Sequence, residues 1–377
     1  MPSLQSVSMK RFDVQVLGAG IVGQSLALAL ARAGFSVALR PEPVRSGTAG
    51  DVRAYALNAA SVELLRSIKV WDSVPANAAT RVLDMHVQGD GPNAAVDFSA
   101  WQQRVDALAW ITDAAVLEGA LAQAVRFAPH ISLVDAEVEA PLTALCDGKT
   151  SATRAALGVK FKRHDYGHTA IAARLTASQK HLGLARQWFG APDVLALLPF
   201  DAPEPERSFA LVWSLPDSRA KDMLALDDTA FAGQLMQVTG GAAGELKLAS
   251  NRAAWPLMQA RAEAWVGPGW VLLGDAAHVV HPLAGQGLNL GLADVAALTR
   301  VLAAREPWRA LGDEKLLRRY ARERLAPTWA MGQVTDGLLR LFSHPQPLAK
   351  ELRNRGLTLV NQLAPLKRWL TQRALDS

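Results

Sequence analysis

The stretch Gly18-Ala19-Gly20-Ile21-Val22-Gly23 constrains this chain more than any other, because of what stands on either side of it. From Arg11 to Leu17, Phe12, Val14 and Val16 occupy alternate positions, the period of a strand. Gln24 to Ala33 is rich in strong helix formers, Gly34 is placed to end the helix, and Phe35 to Leu39 reads as a second strand. Strand, glycine turn, helix and strand make one βαβ unit. In that setting the first glycine serves a tight turn, the second lets backbone approach a pyrophosphate, and the third lets the helix pack closely. The spacing predicts an α/β fold with a dinucleotide site at the turn; the alternative is an ordinary βαβ unit with a glycine-rich turn.

One position disagrees with a simple dinucleotide site. The end of the second strand, about twenty residues after the first glycine, usually carries an acid that accepts ribose hydroxyls. This chain has Arg40 followed by Pro41-Glu42-Pro43. Arginine suits a ribose 2′-phosphate, so NADP is one reading of the site, and Glu42 in the acidic role is another.

A second informative stretch runs from Trp270 to Gly291. Val271-Leu272-Leu273 has the length and branching of a buried strand, and the chain then turns at Gly274-Asp275. Gly285, Gly287 and Gly291 follow, and from Leu288 the pattern becomes helical. An acid at a strand end, facing a helix N-terminus, can hold a polyol on one side and stabilise an anion on the other. His278 and His281 lie at i, i+3 without a third ligand or a carboxylate pair, so no metal is expected.

Between these stretches the pattern alternates. Ser61 to Ile68 and Thr112 to Ala124 read as helices, the second capped by Thr112 or Asp113, with short strands from Val82 to Val96. The runs Thr169 to Leu175, Gly183 to Phe189, Val194 to Phe200 and Ser208 to Leu215 predict a sheet able to roof a pocket.

Composition narrows the remaining classes. Half of the 377 residues are hydrophobic, enough for a substantial core. No uncharged apolar run reaches the roughly eighteen residues of a membrane span, and the first residues lack the apolar centre of a signal peptide. With Cys146 as the single cysteine, the expectation is a cytoplasmic protein without disulfide or zinc, Cys146 serving packing. A net charge of +5 without a basic module points away from nucleic acid. At the C-terminus Lys350, Arg353, Arg355, Lys367, Arg368 and Arg373 accompany leucines at helical spacing, from Leu348 to Leu370. Such a segment either lies on an anionic membrane or docks on the protein's own core.

Three motifs in fixed order, GAGIVG, DGKTSATR from Asp147 to Arg154, and GDAAHVVHPLAGQGLNLG, resemble those of flavoprotein monooxygenases of the aromatic-hydroxylase class. With DVRAYALN and ATRAALGVKFKRHDYGHTAIA, the chain resembles more narrowly the ubiquinone-biosynthesis FAD hydroxylases, over nearly its whole length. The resemblance implies a Rossmann-like FAD-binding domain of residues 1–80, 105–165 and 258–310. It also implies an interleaved β-sheet substrate domain of residues 81–104 and 166–257 and a helical C-terminal region, 311–377. Gly18, Gly20 and Gly23 would then meet the adenosine and pyrophosphate of FAD, with Arg53 along the cofactor and Asp275 on the ribityl chain. The backbone of Gly285, Gln286, Gly287, Leu288 and Asn289 would face the flavin ring. Pro282 would stand beside the ring near substrate, and the helix end at Gly287-Leu288 would stabilise charge on reduced flavin. Asp147 and Arg154 belong to a motif that touches both FAD and the nicotinamide cofactor. The implied chemistry is reduction of FAD by NAD(P)H, reaction with O₂, and transfer of one oxygen atom to the ring of a prenylated phenol. The implied partners are a membrane surface, with the protein peripheral on its inner face, and other ubiquinone-biosynthesis proteins.

Two departures from the family pattern leave other readings open. Arg40 replaces the acid, and roughly twenty residues are missing between Val125 and Cys146, more than the trimming of an ordinary loop. Both fall on the adenine side of the cofactor. The alternatives are a weakly flavinated or non-catalytic relative that binds a lipid intermediate or partner proteins, and a hydroxylase of a small soluble phenol.

Overall fold

The computed structural model describes residues 11–41, 51–89, 91, 94–190, 192–280 and 286–343. β1 (Val14–Leu17) leads through α1 (Ile21–Arg32) to β2 (Val37–Arg40). Val14, Val16, Val37 and Leu39 are fully buried, as strands covered on both faces must be. An excursion follows through β3 (Ala54–Leu57), α2 (Ala59–Ser67), β4 (Ala79–Val82), β5 (Asp84–Gln88), β6 (Ala95–Ser99), α3 (Ala100–Gln103) and β7 (Ala109–Asp113). The chain then returns through α4 (Ala114–Phe127) to β8 (Ile131–Leu133) and β9 (Leu142–Leu145). Asp113, not Thr112, caps α4, accepting from the backbone N–H of Val116 at 3.1 Å.

α5 (Ala152–Ala156) opens the next block, which contains β10 (Phe161–Ala177), β11 (Leu184–Gly190), β12 (Asp193–Phe200) and β13 (Ser208–Pro216). α6 (Asp217–Ala225), α7 (Asp228–Thr239), β14 (Leu246–Leu248) and β15 (Ala253–Ala262) complete it. β16 (Val266–Gly267), β17 (Trp270–Leu272), β18 (His278–Val279), α8 (Gln286–Ala303) and α9 (Glu314–Ser343) follow.

One sheet runs β16-β17-β9-β1-β2-β8, with β16 antiparallel at its edge and the other strands parallel. From β1 the chain moves outward through β2 to β8, then crosses back to β9 on the other side. The order therefore reverses between β1 and β9, and ligands of such sheets bind beyond the carboxyl ends of the strands at that reversal. Leu17 lies in register with Leu145, and Leu145 with Leu272. The three sequence motifs thus begin side by side, where three neighbouring strands end.

The short crossover joins two strands of the parallel sheet. Residues 134–141 cross directly from β8 to β9, and the buried Gln15 pins them. Its amide N–H donates to the Val138 carbonyl at 2.9 Å and its carbonyl accepts from the Val138 N–H at 3.2 Å. A polar side chain in the middle of an apolar strand is satisfied by the backbone laid across it.

The larger sheet runs β18-β15-β10-β13-β12-β11-β5-β6, with β14 added on β10. β10 is longer than its apolar alternation predicts. Its first half, including exposed Lys162, Arg163, His164 and Asp165, carries no buried face and is held by pairing with β15 through an irregularity before Thr169. One face of the sheet packs Leu195, Leu197, Leu211 and Trp213 in the cluster that includes Phe231 and Leu235 of α7. The opposite face carries Arg174, whose guanidinium donates to the Arg53 carbonyl and to Asp113, both at 2.9 Å. That ion pair docks the large sheet on the three-stranded sheet β3-β7-β4.

Candidate cofactor site

The glycine turn divides its tasks as the spacing predicts. Gly18 has φ +95, and a Cβ there would lie 2.4 Å from the Cys146 carbonyl oxygen. A Cβ at Gly23 would lie 1.9 Å from the Gly18 carbonyl oxygen. These two positions are closed by the protein itself. At Gly20, by contrast, a Cβ would meet nothing within 4 Å. Gly20 is the N-cap of α1 and no side chain caps that end, nor does an acid occupy the first turn. The first N–H groups of α1 therefore face open space, the arrangement that receives a phosphate. Arg40 ends β2 in register with Leu17, and its carbonyl accepts from the Gly18 N–H at 2.9 Å.

The late motif meets this turn in van der Waals contact. Gly274, at φ +56, opens a short 3-10 turn, Gly274–Ala276, after β17. A Cβ on Gly291 of α8 would fall 2.7 Å from Val22 Cγ2 and 3.4 Å from the Gly274 Cα. Missing side chains at Gly274 and Gly291 thus let α1, the turn and α8 converge. Asp275 projects from this convergence, is exposed to solvent, and has no hydrogen-bond partner among the described residues. Although one side of it stays open to solvent, the protein packed around its other sides pushes its carboxyl above the usual range, against the pull of His278, Lys149 and Arg53.

The middle motif braces the turn. Arg154 is 5% exposed and lies over the Phe161 ring at 3.6 Å. Its guanidinium donates to the Ala276 carbonyl at 2.8 Å and to the Lys149 carbonyl at 3.0 Å. The side chain is therefore committed to holding two motifs together. Asp147 accepts from the Ser151 hydroxyl at 2.7 Å, while its other carboxylate oxygen is buried without a partner. Arg53 is tied to Asp51 (2.6 Å), Glu118 (3.3 Å) and the Tyr55 hydroxyl (3.1 Å). Burial pushes the Tyr55 hydroxyl up to about 12, so it stays protonated.

Gly287 and Leu288 occupy the first turn of α8, which Gln286 opens, while Pro282 and Gly285 lie outside the described residues. The Asn289 side chain is turned inward: its carbonyl oxygen accepts from the Asn58 N–H and the Ser61 hydroxyl, and its amide donates to the Ala56 carbonyl. It anchors α8 to β3 and α2, so its side chain is committed to the protein. His281 also falls outside the described residues, and His278 Nε2 is taken by Asp294 at 2.6 Å.

Asp294 and Arg324 have no place in the motif reading. Asp294 sits fully buried in α8 and receives the Gly274 N–H at 3.0 Å, His278, and Arg324 of α9 at 2.8 Å. Its signal in the sequence is an acid inside the otherwise apolar stripe Leu290, Leu292, Val295 and Leu298, a charge that needs buried partners.

These features fit FAD. An uncapped helix end suits a pyrophosphate, an unpaired carboxylate suits ribityl hydroxyls, and the α8 N-terminus suits an anionic ring.

A family model described as FAD binding domain matches residues 11–128 and 123–335. The 3-demethoxyubiquinol 3-hydroxylase of Escherichia coli is 30% identical, over 96% of this chain and 98% of that protein. The ubiquinone hydroxylase UbiL of Rhodospirillum rubrum is 31% identical, over 97% of this chain and 90% of that protein. Among solved structures, the p-nitrophenol 4-monooxygenase PnpA of Pseudomonas putida DLL-E4 superposes with a TM-score of 0.76 at 17% identity, covering 97% of this chain and 99% of that one. That likeness speaks for the fold.

Proposed function

We infer the function from one premise: the chain belongs to the FAD-binding-domain family and, within it, to the ubiquinone-biosynthesis FAD hydroxylases. It is an FAD-dependent monooxygenase that hydroxylates the aromatic ring of a polyprenylated phenol, using NAD(P)H and O₂. The observation that carries this reading is the Asp275 carboxylate, without a hydrogen-bond partner among the described residues and set beside the turn where α1 and α8 converge.

FAD, when bound, supplies the activation of oxygen. The chain's own residues bind, orient and enclose. The open backbone at Gly20 and the first N–H groups of α1, framed by Gly18 and Gly23, receive the pyrophosphate. Asp275 accepts from the ribityl hydroxyls, with Arg53 and Asp147 along the cofactor. The first turn of α8, at Gly287 and Leu288, would favour negative charge on the ring; Gly285 and Pro282, assigned to the ring and the substrate by the family resemblance, lie outside the described residues. Strand register supports a place for that substrate. Ala170 and Ala172 of β10, Val212 of β13 and Ala196 of β12 share a face with Arg174. Of these, Val212 and Ala196 are only partly buried, and the ring and its prenyl tail are placed against them.

Arg40 stands where an acid would hold the adenosine ribose. The strand order β8-β2-β1-β9 favours an active enzyme over a scaffold, because the short crossover still brings the ends of β1 and β9 side by side at the reversal.

The test is direct. Purified protein reconstituted with FAD should show bound flavin absorbance. It should oxidise NADH or NADPH faster when a 2-prenylphenol is present and give a product carrying one oxygen atom from labelled O₂. Asp275→Ala should weaken FAD binding about a hundredfold, the scale of lost hydrogen bonds to a charged group. Absence of flavin binding and of oxygenated product in the wild type would sink the reading.

Among the described residues no helix is long and apolar enough to cross a membrane. Peripheral attachment at the inner face, which would bring the enzyme to a greasy substrate, is assigned to the basic amphipathic stretch from Leu348 to Ala374, outside the described residues. Deleting Pro347 to Ser377 should reduce flotation with anionic liposomes while leaving FAD affinity nearly unchanged; equal loss of both would make that stretch part of the core.

A further inference from the structure

We propose that Arg324, on α9, is a positioning residue for the flavin site, acting through Asp294 on the turn that carries Asp275. The inference rests on the FAD-dependent reading above and extends it to the C-terminal helix.

The geometry converges on one carboxylate. Asp294 Oδ2 accepts from the Gly274 backbone N–H at 3.0 Å and pairs with His278 Nε2 at 2.6 Å. Asp294 Oδ1 accepts from Arg324 Nε at 2.8 Å, and Arg324 Nη2 donates to the Leu290 carbonyl at 3.2 Å. Asp294, His278 and Arg324 are 0%, 3% and 7% exposed. The bonds come from the Gly274 turn, from β18 and from α9, and the acceptor itself rides on α8. One buried group therefore fixes the residue before Asp275 relative to the helix whose first turn faces the ring.

Stability alone does not explain such a group. A buried charge network is often no more stabilising than apolar side chains of the same volume, whereas its bonds are directional and specify one arrangement. The stacked Trp265 ring, 5.0 Å from His278, limits how His278 can turn, and the contact of Val22 with Gly274 and Gly291 leaves little slack on the other side. Without Arg324, Asp294 is left to the turn and His278 alone, and α8 loses the donor at its Leu290 carbonyl. The expected consequence is a displaced Asp275 and a displaced α8 N-terminus.

The experiment compares Arg324→Met, Arg324→Lys and Tyr320→Phe in the full-length protein. Tyr320 is the control: it also ties α9 to the core, but its hydroxyl donates to the Leu272 carbonyl at 2.9 Å and not to Asp294. Three quantities are read: the FAD dissociation constant by fluorescence titration of apoprotein, the melting temperature of apoprotein, and the midpoint potential of bound flavin. Arg324→Met should weaken FAD binding about tenfold or more, on the scale of a hydrogen bond to a charged group, and move the potential. Arg324→Lys keeps the charge but not the fork, and should fall between Met and wild type in affinity. Tyr320→Phe should melt earlier yet hold FAD within about twofold of wild type, since no bond to the flavin turn is lost. If Arg324→Met does not fold, wild-type FAD affinity in Arg324→Lys overturns the proposal. So does wild-type affinity in folded Arg324→Met, or an affinity that follows melting temperature alone across the variants. A wild type that binds no FAD overturns the functional reading instead, a separate result.

Discussion

Gly23→Ala should purify without flavin and unfold at lower denaturant concentration than the wild type. The added Cβ would lie 1.9 Å from the Gly18 carbonyl oxygen, 3.0 Å from its carbon and 3.2 Å from Cys146 Cβ. The first two are backbone atoms, which cannot rotate away as a side-chain tip does. Gly18 has little room to yield either, because at φ +95 the space a Cβ would take there is filled by the Cys146 and Asp147 backbone just after β9. Relief requires α1 to withdraw from β1, which removes its N–H groups from the place where a pyrophosphate would sit. Overpacking of a core by one methyl costs about 1–3 kcal/mol, and a clash with fixed backbone belongs at or above the top of that range. Gly20→Ala separates fold from cofactor. Its methyl meets nothing within 4 Å, so the apoprotein should melt like wild type while FAD affinity falls. Denaturation midpoints and flavin content measured on both variants check the pair. Stoichiometric flavin and an unchanged midpoint in Gly23→Ala would refute the assignment of that glycine.

How much of this could be read from the sequence depends on whether the signal was local. The turn from β1 into α1 was legible because a strand period, a glycine spacing and a helix-forming run stand next to one another. The family resemblance was legible because its motifs are short and ordered. What joins those motifs was not. Their meeting follows from the register Leu17, Leu145 and Leu272 across three parallel strands, a pairing between residues far apart in the chain. The first half of β10 was missed because exposed charged residues carry no period, its partner being the backbone of β15. The shortness of the crossover was legible from sequence length. Its closure by Gln15 and Val138 depends on backbone groups that no residue pattern records. Arg154 was grouped with a cofactor motif, yet its guanidinium is committed to the Ala276 and Lys149 carbonyls. Sequence marks that a position is special more readily than which neighbour makes it so.

Asp294→Ala is expected to destabilise the protein by about 3–5 kcal/mol at neutral pH, the cost of removing one member of a buried charge network and leaving the others unpaired. Three donors lose their acceptor at once: the Gly274 N–H, His278 Nε2 and Arg324 Nε. Arg324 is the most costly of these, being a buried cation left with a hydrogen bond to the neutral Leu290 carbonyl. The sign of the pH dependence follows from the carboxyl itself. Burial opposes its charge, but the attraction and hydrogen bond of His278, with those of Arg324, outweigh burial and hold it below the usual range. A group depressed in the folded state contributes stability that is fully present above its unfolded value, about 3.9, and is lost as pH falls through the folded value. Wild type and Asp294→Ala should therefore differ most from about pH 5 upward and converge in acid. Asp294→Asn refines the comparison. It keeps an acceptor for one neighbour, loses the charge Arg324 needs, and should fall between the two at neutral pH with a flatter acid limb. Urea denaturation of the three apoproteins from neutral pH into acid measures this, and parallel curves at every pH would show that the Asp294 charge does not hold the network.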